Sequence, residues 1–536
     1  MSGELLTTPY VPETRPIAPE TRKGRSLGAM RLGIDLGTTR TLVAHVDRGN
    51  YPVVNFFDGF GDAHDHFPSV AVHHPEQGLL FGLDALDAAR ADERLRIIRS
   101  FKRRLAYPDV NAASTMSVGG RPMLLLDVMT GFLAALRTAL ASSSTISEEF
   151  DTDETMVAVP AHAPGIQRFL TLEAFTRAGF NVLGIVNEPS AAGFEYTHRQ
   201  GRTLNSRRTR VVVYDLGGGT FDASLIRVDG KAHEVVDSIG HNRLGGDDFD
   251  NALADVVADK ANVDKEALDK REWETLLDEC RAAKETIQPQ TRRVAVDVGG
   301  EFTAVQVQAF YDAAAPLVDR TVETMTPLIG QDDEGRATLD DTEVAGIYLV
   351  GGASGLPIVA RRLREQFGRR VHRSPYPAAS TAIGLAIAAD EEAGFSLRDR
   401  LSRGFGVFRE AHDGQGISFD QIFDRTTVTG EDSFEVIRRY RPQHDIGWFR
   451  FIEYANVDES GMPTGDIVPF AELLFPYSPE MRGRELAPDM QIQRIGEGPM
   501  VEERYLIDPN GIVEVHITDL DNSFTMSRVL GSATGA

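Results

Sequence analysis

Two stretches far apart in the chain carry the same unusual order of residues, and this repetition restricts the possible folds more than any other feature. The first, "LGIDLGTTRTLVAHVD" at residues 32–47, reads as strand, tight turn and strand, with Asp35, Gly37, Thr38 and Thr39 at the tip. The second, "RVVVYDLGGGTFDASLIRVDG" at residues 210–230, matches Asp215 to Asp35, crowds Gly217, Gly218 and Gly219 into the turn, and follows them with Thr220. Turn chemistry alone explains one such hairpin, because Asp and Gly suit turns and Thr suits strands. It does not explain two. A ligand held between two related domains needs a phosphate loop from each side, in which glycine admits close backbone, threonine donates hydroxyl hydrogen bonds, and a carboxylate holds a hydrated magnesium ion.

Other segments fall into order around the hairpins. "AGIYLVGGASGLPIVARRLREQFG", residues 345–368, reads as a strand, a turn at Gly351 and Gly352, and an amphipathic helix. Gly245 and Gly246 open a further helix in "SIGHNRLGGDDFDNALADVV". Residues 157–196 read as strand, helix, short strand and a small-residue helix opened by Glu188, and "YPAASTAIGLAIAAD" places Gly384 where close helix packing requires it.

At 536 residues the chain exceeds what one core supports, so two to four domains are expected. A net charge of -24 opposes tight non-specific binding to nucleic acid or anionic membrane. The single cysteine, Cys280, rules out an internal disulfide and suits a cytoplasmic protein. No apolar run approaches the roughly 20 residues of a membrane span. Residues 1–30, rich in Pro, Thr and Arg, read as a disordered segment and not as a secretory signal. His64, His66, His73 and His74 are not expected to bind metal, since no acid cluster lies at suitable spacing.

From about residue 31 to 390 the ordered motifs resemble the nucleotide-binding domain of the seventy-kilodalton heat-shock (DnaK-like) chaperones, members of the actin-like ATPase superfamily. The resemblance implies an α/β two-lobed actin-like ATPase with duplicated ribonuclease H-like lobes, followed by a mainly β C-terminal domain. It implies ATP or ADP with Mg²⁺ as ligands, with Asp35 and Asp215 near the metal through water and Thr220 facing the γ-phosphate. Lys102, in "SFKRRLAYP", falls where the family has the lysine that orients the attacking water, and Glu188 falls where a carboxylate supports metal and water. Gly37, Thr38, Thr39, Gly217, Gly218, Gly219, Gly246, Lys284, Gly351 and Gly352 fall on nucleotide-contacting positions. Pro160 and Arg168 fall on the family's proline switch and its arginine partner. Unfolded or extended peptides, or a dedicated protein client, are the implied partners, together with nucleotide-exchange or co-chaperone proteins.

The departures lie at the base end and after residue 390. Two arginines that stack on adenine in many relatives are Glu285 and Gly355 here, an acid of the last motif is Ala378, and the residue after the first threonine pair is Arg40. Residues 391–404 stand in place of a leucine-rich linker, but Phe395, Leu397 and Leu401 are separated by charges, which predicts a short helix or irregular connector that docks marginally and couples the domains by less than about tenfold. Residues 405–530 show strand periodicity with a hairpin turn at "DPNG" and loosely resemble the family's β-sandwich, without its helical lid. Trp448, Phe449 and Phe451 would line a peptide groove or fill the sandwich core. Two functions stay open besides an ATP-hydrolysing chaperone: a nucleotide-state sensor or assembly subunit that hydrolyses little, and a sugar or acetate kinase of the same superfamily.

Overall fold

The computed structural model describes residues 15–17 and 29–531, apart from residues 93, 108, 162, 201–203, 206, 242, 341–342, 402, 412–415, 426, 430–432 and 488–489. Most of the expected disordered segment, residues 1–30, lies outside these. Arg15–Ile17 depart from that expectation: they form a strand antiparallel to residues 433–435.

One plan is built twice. In the first sheet the strand order is Val182–Asn187, Asp153–Val159, Met30–Leu36, Arg40–His45 and Phe67–Pro68. In the second it is Val371–Arg373, Val344–Val350, Arg210–Leu216, Phe221–Asp229 and Ala232–His241, followed by Ser396–Arg400 and Val428–Thr429. The hairpin is antiparallel in both sheets, and the two strands beside it run parallel, joined by the crossover helices Gly165–Arg177 and Pro357–Phe367. The strands are almost wholly buried apolar residues, as parallel strands covered on both faces must be.

Each half then adds one more helix, Glu188–Gln200 in the first and Ser380–Ala389 in the second, and these two helices pack on each other. Gly384 makes this possible: a Cβ there would lie 1.8 Å from the Ala191 carbonyl oxygen. Gly384→Ala is therefore expected to force the helices apart and to destabilise the protein by about 1–3 kcal/mol, the usual cost of overpacking. A fall in melting temperature measures this; an unchanged value would mean that the contact is slack.

Helix Leu125–Ser142 has the length and apolarity of a membrane span, but Leu126, Met129, Phe132, Leu133 and Leu136 are buried in the core beneath the first sheet. Its apolar face has a partner inside the protein.

The last part of the chain is all β. A five-stranded antiparallel sheet (Arg15–Ile17, Ser433–Tyr440, Val501–Ile507, Val513–Asp519, Phe524–Val529) faces a four-stranded one (Gly416–Phe423, Gly404–Ala411, Ile446–Val457, Pro463–Pro476) across a core containing Phe405, Phe449, Phe451, Phe475, Tyr505 and Val515. Phe449 and Phe451 are thus core residues. Trp448 is half-buried, with the Arg450 guanidinium 4.6 Å over its ring. The "DPNG" turn joins two strands as expected, closed by the Gly511 N–H donating to the Asp508 carbonyl at 2.9 Å.

The connector is helical only at its start and then becomes a strand. After a short turn at Glu391–Ala393, Ser396–Arg400 is a strand, parallel to Ala232–His241 with Leu397 in register with His233. The Ser396 N–H donates to the Lys231 carbonyl at 3.1 Å, and Phe395 packs against Phe194 with ring centroids 5.5 Å apart. Counting apolar side chains misjudged this segment because strand addition draws on backbone hydrogen bonds that a side-chain count omits. The tenfold ceiling on coupling rested on that side-chain count alone.

The sandwich also touches the first half directly. Glu453 accepts the Gly165 N–H at 2.8 Å, and Asn510 at the "DPNG" turn accepts the Ile185 N–H at 2.9 Å through its side chain. Burial pushes the Glu453 carboxyl up to about 7, although the Gly165 N–H, Arg403 and Arg168 pull it down. Arg168 donates to the Asn510 carbonyl and to the Asn187 side chain, which places it at this junction.

Candidate functional site

The two hairpin tips face each other across a cleft of about 1340 Å³. Local chemistry shapes each tip. At the first, Gly37 turns so tightly that a Cβ would lie 2.1 Å from the Arg40 carbonyl oxygen, and Ser69 donates its hydroxyl to the Gly37 carbonyl. At the second, Gly218 lies opposite Thr39, with a built Cβ 3.2 Å from the Thr39 hydroxyl. The turn at Gly245 and Gly246 packs on this second tip: the Gly246 N–H donates to the Gly217 carbonyl at 2.9 Å and the Asp247 N–H to the Gly218 carbonyl at 2.7 Å. Gly351 has φ +84, and a Cβ on it would strike Asp215 Oδ1 at 2.3 Å, so only glycine fits there.

Most of the expected residues share the cleft wall: Asp35, Gly37, Thr38, Thr39, Lys102, Glu188, Asp215, Gly217, Gly218, Thr220, Gly246, Lys284, Gly351 and Gly352. Gly219 is the exception; it is packed behind the wall, between Gly245 and the Arg103 guanidinium. Lys284 is tethered to the second half, donating to the Gly246 carbonyl at 2.9 Å and pairing with Asp250 at 2.6 Å. Pro160 reaches the same cleft.

Between the tips, Lys102 is buried and ion-paired to Glu188 at 2.9 Å. It lies inward on the tight helical turn Phe101–Ala106, away from solvent. The surrounding charge is lopsided. Asp35 is pushed up to about 7 by burial and by Glu188, against the pull of Lys102. Asp215 is held well above the usual carboxylate range by burial and then by Glu188, Asp222 and Asp35. Burial and Glu188 also bring Asp222 up to about 7. For Lys102, desolvation alone would lower the pKa, but the facing Glu188 and Asp35 outweigh it and hold it above the ordinary value.

This excess of buried negative charge over one lysine is what a divalent cation would neutralise, so the residues fit a hard metal ion with oxygen ligands. Among the described residues no three or more His, Cys, Asp or Glu side chains converge closely enough to hold a metal directly. The fit is therefore to an ion held through its water shell.

Three features escape a reading of the sequence. Asp222 sits opposite Asp215 in the hairpin register, buried between Phe221 and Ala223, and an acid two residues after Thr220 was the available signal. Arg103 crosses the cleft to Asp247 at 2.9 Å. The two departures Arg40 and Glu285 form an ion pair with each other; each was visible singly, their contact was not.

Comparison with known proteins agrees with this geometry. The family profile described as "HSP70: Hsp70 protein" matches residues 31–402. The chain is 34% identical over 377 residues to "Chaperone protein HscA" of Enterobacter sp. (strain 638), covering 67% of this chain and 58% of that protein. It is 34% identical over 374 residues to the protein of the same name from Salmonella agona (strain SL483), and 35% identical over 374 residues to that from Escherichia fergusonii. The matched part spans 57% of each of these last two relatives and 67% of this chain.

Proposed function

The chain belongs to the Hsp70 family, and from that premise we propose that it binds ATP with magnesium between two actin-like lobes and hydrolyses it slowly. Nucleotide state then changes how the C-terminal β-sandwich holds an extended peptide or a protein partner. The observation that carries this is the pair of like tips facing each other over buried carboxylates and one buried lysine.

Each residue has a task in this scheme. The glycine-rich backbone of both tips and the hydroxyls of Thr38, Thr39 and Thr220 bind phosphate oxygens, with Thr220 nearest the terminal one. Asp35 and Asp215 would hold the water shell of a magnesium ion, and Asp222 would add negative charge beside them. Glu188 fixes the Lys102 ammonium, which orients the attacking water and offsets charge developing in the transition state. A magnesium ion held there would supply further positive charge opposite the phosphates. Pro160 on the cleft and Arg168 at the sandwich junction connect the two ends, as does the docked connector strand. Nucleotide-exchange or co-chaperone proteins would act on these moving parts in the cytoplasm.

Phosphate release from ATP, measured with and without an unfolded polypeptide and with magnesium present or chelated, tests the proposal. Release should need magnesium and rise with the polypeptide. Nucleotide binding without release would replace it with a nucleotide-state docking protein. Asp215→Asn is expected to weaken magnesium-dependent nucleotide binding, because a hydrated hard cation prefers the full carboxylate charge. Superimposable magnesium titrations of wild type and variant would reduce Asp215 to a turn residue.

A further inference from the structure

Beyond the phosphate end, the cleft continues along Glu285, Gln288, Pro289, Gly355, Leu356 and Arg373. Glu285 ends helix Lys270–Glu285 and is committed to Arg40 across the cleft, so neither residue is free to cover a ligand there. Gly355 offers bare backbone. Arg373, the last residue of Val371–Arg373, covers that backbone instead: its Nη2 donates to the Gly355 carbonyl at 3.1 Å, and a Cβ on Gly355 would lie 3.4 Å from the same nitrogen. The guanidinium thus stands where a side chain from position 355 would begin. Among the described residues no carboxylate pairs with it.

Its distance from the phosphate end suits a nucleotide. Gly351 abuts Asp215, and the tight helical turn Gly352–Gly355 leads away from that contact. At about 2 Å per residue, four residues separate Gly355 from the tip by roughly 8 Å, comparable to the ribose that separates phosphate from base.

We propose that the Arg373 guanidinium is the face on which the nucleotide base lies, making Arg373 the base-recognition residue of this chain; the assignment rests on the nucleotide-binding reading above. A planar cation attracts the face of an aromatic ring, and guanidinium does so by both charge and stacking, which an ammonium group does not match.

Competition titrations with ADP and with inorganic pyrophosphate, both with magnesium, test this on the full chain. Arg373→Ala should weaken ADP binding about tenfold and leave pyrophosphate unchanged. Arg373→Lys should lose most of the same affinity, because it keeps the charge and loses the plane. The double variant Arg373→Ala/Gly355→Arg, which returns the guanidinium from the neighbouring backbone, should recover ADP binding. Arg373 is exposed, and equal melting temperatures would show that the variants fold. A parallel loss of ADP and pyrophosphate would make Arg373 a mere charge, and no change in either would put the base elsewhere; both results overturn the assignment. A wild-type protein that binds neither ligand overturns nucleotide binding itself, and this assignment with it.

Discussion

Replacing Lys102 with alanine is expected to lower the rate of ATP hydrolysis at least a hundredfold while leaving nucleotide affinity within about tenfold of wild type. Lys102 is the buried cation among Asp35, Glu188, Asp215 and Asp222. Removing one preorganised electrostatic group from such a site costs about 10²–10³ in rate, because its replacement by mobile water must be reorganised at the moment of reaction. Binding should suffer less, since both glycine-rich tips and their threonines are untouched. The variant should also melt at lower temperature in the absence of magnesium, as Glu188 is left with its charge buried and unpaired. Single-turnover phosphate release and calorimetric titration with ATP and ADP separate these effects. Unchanged turnover would reduce Lys102 to a counter-ion for Glu188.

Acidification from pH 7.5 to 5.5 is expected to weaken connector docking about tenfold, through His233. This ring is buried between Phe194, 4.8 Å away, and Phe395 of the connector, 5.8 Å away, and neither ring nitrogen has a hydrogen-bond partner. Burial alone brings its pKa down to about 4. Lys231, two residues before His233 in the chain, is occupied with the Ala393 carbonyl and the Phe395 ring. When the connector leaves, the ring meets water and its pKa returns towards about 6.5.

The sign follows from the lowered value. The released state binds the extra proton, so docking is at full strength above pH 6.5 and weakens as pH falls from 6.5 to 4. At pH 5.5 the released histidine is about ten to one protonated, hence the tenfold effect. Hydrogen-exchange protection of the paired amides at residues 396–400, corrected for intrinsic rates, reads docking directly. Wild type should lose protection on acidification and His233→Phe should not. If both lose it equally, carboxylates elsewhere are responsible.

The sequence carried what is local and repeated. The hairpin tips were legible because their chemistry is written in contiguous residues, and the duplicated sheets follow from finding that pattern twice. Lys102 was reached only through family resemblance, since what buries it is Glu188 on a different element. Phe449 and Phe451 suited a core better than a groove from sequence, and only the second sheet closing over them decides between the two. The connector was misjudged because its partner is the edge of Ala232–His241, and no property of residues 391–404 announces that an edge is free. Arg40 and Glu285, like Arg373 and Gly355, acquire meaning from pairing across the fold, which no local pattern contains.

One edge of each duplicated sheet is covered by the C-terminal part of the chain. Ser396–Arg400 lies along Ala232–His241, and the Asn510 side chain takes the Ile185 N–H of the border strand Val182–Asn187. An uncovered strand edge offers a row of N–H and C=O groups to any other chain in solution. The sandwich and its connector therefore shield the two duplicated sheets from strand-to-strand association, and undocking would expose those borders for as long as it lasted.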